Sequence, residues 1–155
     1  MRVQRLIKET CKIVSEDVGE VKAAQIARSA QNRYEALRAE NSSDSKELRS
    51  HSYKRIYPGI AVYEAMRAED ISQEKAAWYI REYFQRLAAK RVPFFQRAIK
   101  TFGLARKFPY LFMAGIKKSC QSNAGFVYEL PESHYNEARI NIVRCPYFEI
   151  CKRYG

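Results

Sequence analysis

The hydrophobic period of this chain changes once, near Lys118. Before that residue the apolar positions recur every three or four residues, as on the buried face of a helix. After it they alternate, as on a half-buried strand. A chain that runs through many helices, then two strands, then a helix contains no βαβ unit, so a parallel sheet is excluded. The class is α+β: N-terminal helices packed on a small antiparallel β-sheet, followed by a C-terminal helix. A length of 155 residues suits a single domain over 1–155. Its helical part covers about 1–118, and a β-hairpin plus helix covers about 124–155.

Val3, Leu6, Ile7, Cys11, Val14 and Val18, then Val21, Ala24, Ala27, Ala30, Tyr34 and Leu37, predict two helices separated by a turn at Gly19. The polar stretch Glu40–Lys46 predicts a loop. Asp44 or Ser45 is placed to cap a helix carrying Leu48, His51 and Tyr53. Pro58 suits the first turn of the next helix, whose expected buried face is Ile60, Tyr63 and Met66. Ser72 is the expected N-cap of a long helix to about Val92, with Ala76, Ala77, Ile80, Phe84, Leu87 and Ala88 inward. Pro93 is expected to end or restart it. A helix over Phe94–Phe102 would then close at Gly103, and a short one would follow Pro109.

The alternating segments are Gly125–Leu130 and Ala138–Arg144, with a turn over Pro131–Asn136. Ala138, Ile140 and Ile142 are expected to face the helices; Arg139, Asn141, Val143 and Cys145 share the other side. Pro146–Tyr154 reads as the final helix.

A net charge of +11 is unevenly placed: residues 81–118 hold ten Lys/Arg against the single acid Glu82, so nine of the eleven charges lie there. Such a face attracts anions of any kind, and its plainest explanation is a solvated face that keeps the protein soluble. Phe84, Phe94, Phe95, Phe102 and Phe108 interleave with these cations, but an aromatic stripe at helical spacing is more often core than a base-stacking groove. The N-terminus lacks the continuous apolar stretch of a signal peptide, and no run matches a membrane span. The expected setting is therefore cytoplasmic, without a membrane partner, and Cys11, Cys120, Cys145 and Cys151 are expected as reduced thiols.

Cys145 stands where a strand meets a helix, beside Arg144. A helix N-terminus and a guanidinium both favour a thiolate there, so Cys145 is a candidate nucleophile; burial as a small apolar side chain is the plainer alternative. His51 lies in a polar, aromatic run and is the histidine best suited to proton transfer or hydrogen bonding, with a satisfied surface histidine the equal alternative, whereas His134 falls in the hairpin turn. Cys145 and Cys151 are spaced wrongly for a zinc knuckle, and neither a metal nor a cofactor is expected. No glycine-rich phosphate loop is present.

The run His51–Met66, the helix after Ile71-Ser-Gln-Glu-Lys-Ala-Ala77, and the segment Ile142-Val-Arg-Cys-Pro-Tyr-Phe-Glu149 together resemble the L-2-amino-thiazoline-4-carboxylic acid hydrolase family, in the same order along nearly the whole chain. The resemblance implies hydrolytic opening of a carboxylated cyclic amidine to N-carbamoyl-cysteine. It also implies Cys145 and His51 as catalytic candidates, Arg144 as the cation for the substrate carboxylate, and Tyr57, Tyr63 and Tyr147 as pocket residues. The expected partner is a small anionic substrate. Relatives of this kind continue past the Cys-Pro-Tyr helix, and two strands alone make a marginal sheet, so further strands or a homo-oligomer are expected to complete the edge. Two other functions fit the same residues: a non-catalytic small-anion-binding or sensor module, and, ranked last, a basic helical nucleic-acid-binding protein.

Overall fold

The structure, a computed structural model, describes residues 4–120, 122–131 and 139–154. Helix α1 (Arg5–Val18) begins where the Gln4 side-chain oxygen accepts hydrogen bonds from the backbone N–H groups of Leu6 and Ile7. It ends at Gly19, whose φ of 84° is open to a glycine and strained for other residues. Helix α2 (Glu20–Glu40) then runs back along α1 and lies most extensively against α4 (Tyr57–Ala68). Buried alanines on both, Ala23 and Ala30 on α2 and Ala61 and Ala65 on α4, keep that contact thin. Arg33 clamps its rim, donating to Glu64 at 2.6 Å and to Glu40 at 2.8 Å. Around these helices Ile7, Val14, Ile26, Leu37, Tyr57, Val62, Met66 and Tyr79 form a continuous core that Ile150 joins from α7.

Ser45 caps α3 (Lys46–His51), as expected, by accepting from the Leu48 N–H. The continuation of α3 was not legible in the sequence: Ser52–Ile56 form one π-helical turn that runs straight into α4. The wider turn holds one more residue than an α turn and re-aims everything after it. The expected buried face of Ile60, Tyr63 and Met66 is therefore corrected. Tyr57, Pro58, Ala61, Val62, Ala65 and Met66 point inward, and Ile60 and Tyr63 swing out to half-buried positions.

Helix α5 (Gln73–Thr101) starts at the predicted Ser72 cap but passes through Pro93 without a break. A proline inside a helix loses one backbone hydrogen bond and crowds the carbonyl four residues back. Here that carbonyl belongs to exposed Ala89, which water can serve. At about 1.5 Å per residue, this 29-residue helix is twice as long as α1 (14 residues) or α4 (12 residues), which pack against its first part. Ala76 and Tyr79 are its buried residues; Ala77, Phe84 and Ala88 face solvent. The phenylalanine stripe expected in the core is exposed, with Phe94 at 72% and Phe102 at 73%. Gly103, left-handed at φ 60°, turns the chain through a short 3-10 segment (Leu104–Lys107), against which α6 (Phe108–Ser119) rests.

A 3-10 turn (Ser122–Ala124) leads to β1 (Val127–Glu129), antiparallel to β2 (Asn141–Arg144), with Tyr128 opposite Ile142 and an irregularity between Val127 and Tyr128. The class is α+β as read. The inward face assigned to β2 is not: Ile142 is 48% exposed, and Asn141, Val143 and Arg144 are exposed too. The hairpin is anchored by Ala124 and Phe126, buried just before β1, and by the Ser45 hydroxyl on the Asn123 carbonyl. The strand side chains themselves carry little of the packing. Ala138, His134 and most of the predicted turn lie outside the described residues. Helix α7 (Pro146–Arg153) closes the chain against the π-helical turn, and Tyr154 behind it meets Asn41 Nδ2 at 2.8 Å.

Candidate functional site

Residues from α1, the π-helical turn, α4, α5 and α7 enclose an open cleft of about 850 Å³. Its floor is apolar, with Ile56, Ile60, Ile80 and Leu87. Four phenols, Tyr63, Tyr83, Tyr147 and Tyr154, ring it. Arg5, Lys54, Arg55 and Arg91 supply positive charge, and none of the lining residues is acidic. A cavity of this make-up suits a small, flat, apolar body carrying a negative group.

The π-helical turn explains why cations reach the cleft. It brings Lys54 and Arg55 to its wall while Ser52 and Ile56 go to the core. From the other side, α7 presents Tyr147. The phenol oxygen lies 2.7 Å from His51 Nδ1, at the end of α3, and accepts from the Arg55 guanidinium at 3.4 Å. Behind the pair, the rings of His51, Phe126 and Tyr147 meet edge-on or tilted at 5.5 to 5.8 Å. Residues 96 positions apart are thus held by an aromatic wedge that the hairpin completes.

His51 titrates below its ordinary range, because burial disfavours the imidazolium and the Arg55 charge adds to that. A hydrogen bond to the Ser119 backbone opposes the shift without cancelling it. With its proton on Nε2, a neutral His51 accepts from the Tyr147 hydroxyl at Nδ1, and the phenol oxygen then keeps its own lone pairs for the cleft and for Arg55. An imidazole behind a phenol is an arrangement that can pass a proton out of the cleft and return it.

Of the residues singled out by sequence, Tyr63 and Tyr147 line the cleft and His51 stands directly behind it. Tyr57 does not reach it: its ring is wholly buried, and its hydroxyl donates to Asp44 at 3.2 Å. Arg144 is exposed on β2, and Cys145 is half-buried at the start of α7; neither is among the lining residues. Cys145 lies near enough to Cys120 and Cys151 to raise both thiols electrostatically, after burial, the larger cause. All four cysteines are free. Among the described residues no group of three or more His, Cys, Asp or Glu could hold a metal ion. Arg55, Lys54, Tyr83 and Tyr154 are the residues that sequence reasoning missed.

A model of the L-2-amino-thiazoline-4-carboxylic acid hydrolase family matches residues 49–155. The chain belongs to this family. No curated protein and no solved structure matches it significantly. The matched segment opens two residues before His51 and takes in Arg55, Tyr63 and Tyr147, so the whole His51–Tyr147–Arg55 corner of the cleft falls inside it. Helices α1 and α2, which supply the core beneath, precede it.

Proposed function

We propose that the cleft binds a small carboxylated cyclic amidine, 2-amino-thiazoline-4-carboxylate or a near analogue, and that Tyr147 backed by His51 drives its hydrolytic opening. The observation that carries this reading is the Tyr147–His51 hydrogen bond, set on the wall of a cationic, apolar-floored cleft inside the family segment. Arg55, with Lys54 and Arg91 on the same cleft, takes the carboxylate. The ring carbon between nitrogen and sulfur is electrophilic and is attacked by water. As the C–O bond forms, the C=N π pair moves to the ring nitrogen, and one water proton passes to the Tyr147 oxygen while the phenol proton moves to His51 Nδ1. The added oxygen then forms C=O as the C–S bond breaks; its remaining proton ends on the ring nitrogen, and the leaving thiolate takes the other proton back through the same pair. One water is consumed, and the product is N-carbamoyl-cysteine with a free thiol. Burial keeps His51 neutral at pH 7 and so ready to accept. In this reading Arg144 and Cys145 flank the site and carry no step.

The product thiol gives the test. Incubating the protein with 2-amino-thiazoline-4-carboxylate and titrating the thiol released should show catalytic turnover. Arg55→Met should lower kcat/KM by about tenfold or more, the effect of a lost charge-assisted contact. Saturable binding without thiol release would instead support the anion-sensing alternative. Neither binding nor release would refute both.

A further inference from the structure

Apart from Arg91, which lines the cleft, the second half of α5 and α6 take no part in the chemistry above, and they are the most unusual surface of the molecule. Residues 81–118 hold ten Lys/Arg and one acid, a net of +9. Among the described residues only Arg86 of the ten is in an ion pair, with Glu82 and Glu16. At about 100° per residue, Phe84, Phe95 and Phe102 fall on one line of α5, flanked by Val92 and Phe94; Arg81 and Arg91 share that side where it passes the cleft, while Lys90, Arg97 and Lys100 fall on the opposite side. All five apolar side chains are exposed, Phe95 at 59%. On α6, Phe108 stacks on Phe112 with Leu111 beside them, all exposed, and Lys117 and Lys118 end the helix. A row of exposed aromatic side chains this long marks a surface that something covers.

Charge decides among the occupants. A second copy of the chain would set +9 against +9. A single nucleic-acid strand needs cations and aromatics on one side, so that phosphates are held while bases stack, and beyond Arg91 on α5 they are opposed. An anionic bilayer accepts that opposition: the aromatic side enters the headgroup boundary, and the long cationic side chains stay at the level of the headgroups and water. No described helix is long and apolar enough to cross a membrane, so the contact is peripheral. We infer that the α5–α6 arm docks the protein on an anionic lipid surface, with the phenylalanine side facing the bilayer.

Sedimentation of the full chain with vesicles tests this, using phosphatidylcholine alone and phosphatidylcholine mixed with phosphatidylglycerol. The protein should pellet with the anionic vesicles only, and added salt should release it. Removal of one cation near such a surface is worth roughly fivefold in partition, so R97E/K100E should weaken binding by about 25-fold or more. F95S/F102S, at exposed positions, should weaken it at least as much while leaving the circular dichroism unchanged. Failure to bind anionic vesicles would overturn the inference. So would an F95S/F102S variant that binds as well as the parent, since charge alone would then account for binding. A dimer that F95S/F102S dissociates, in a protein that ignores vesicles, would assign the arm to self-association instead.

Discussion

Replacing Tyr57 by Phe separates a tyrosine that holds the fold from those that line the cleft. The Tyr57 ring is wholly buried, edge-on to Tyr154 at 6.3 Å and tilted against Tyr53 at 5.8 Å. Phenylalanine keeps the ring and its volume, so no cavity opens. What is lost is a hydrogen bond to the Asp44 carboxylate, at 3.2 Å a long one. Hydrogen bonds to charged groups contribute roughly 1.5–3 kcal/mol, and half-buried Asp44 can regain water, so the loss falls to or just below the lower end of that range, about 1–1.5 kcal/mol. For a chain of this length that is a fall in Tm of about 3–5 °C. Burial first, then Asp44, pushes the Tyr57 hydroxyl above its ordinary range. A folded-state acid raised in this way binds its proton longer than the unfolded chain does. Its contribution is complete below the ordinary tyrosine value near pH 10 and fades as pH rises above it, so the parent should lose its advantage over Tyr57→Phe in strong alkali. Urea unfolding followed by circular dichroism reads the difference, with thiol release from the thiazoline substrate measured in parallel. Stability should fall by the stated amount while kcat/KM stays within about twofold. A large loss of activity with stability unchanged would refute the placement of Tyr57 in the core.

His51 makes a second, pH-dependent prediction. Its folded value lies below its unfolded one, so the unfolded state binds more protons near pH 6 and the folded state loses stability as pH falls through and below the unfolded value. His51→Gln should flatten the stability profile on that acid side, and an unchanged slope would count against burial of a neutral ring. Pro93→Ala restores the missing α5 hydrogen bond, from the N–H at position 93 to the Ala89 carbonyl, and exchange of the amides that follow position 93 should slow relative to the parent. Amides on both sides of Pro93 that exchange in the parent at unprotected rates would mean that the helix breaks there in solution. Burial pushes the Cys11 thiol up to about 12. Iodoacetamide at mildly alkaline pH should therefore label exposed Cys151 and spare Cys11 until the chain unfolds, as peptide mass spectrometry can show. Labelling of both at equal rates would contradict that packing.

Local chemistry was legible in the sequence and tertiary placement was not. The Ser45 and Ser72 caps, the glycine turns at 19 and 103, and the proline that opens α7 depend on neighbours within one turn, and each falls where the sequence puts it. The π-helical turn at Ser52–Ile56 leaves no compositional mark, yet it rotates α4 and decides that Tyr57 goes inward and Tyr63 outward. Arg55 looked like one more cation in a polar run; only the fold shows its guanidinium on the Tyr147 hydroxyl. The phenylalanine stripe has the spacing of a core, but spacing cannot tell which stretch of a long helix outruns its partners. His51 stood out by its surroundings and Tyr63 and Tyr147 through family resemblance, and the fold brings His51 and Tyr147 together across 96 positions.

The relay in the cleft is tested most directly by comparing two conservative variants, Tyr147→Phe and Cys145→Ser, for thiol release from 2-amino-thiazoline-4-carboxylate. Tyr147→Phe keeps the ring between His51 and Phe126 and removes only the oxygen that faces His51 Nδ1. Its kcat should fall by about 10²–10⁴, the usual worth of a positioned acid–base group, while Cys145→Ser should change little. An active Tyr147→Phe beside a dead, correctly folded Cys145→Ser would contradict the relay and hand the chemistry to the thiol.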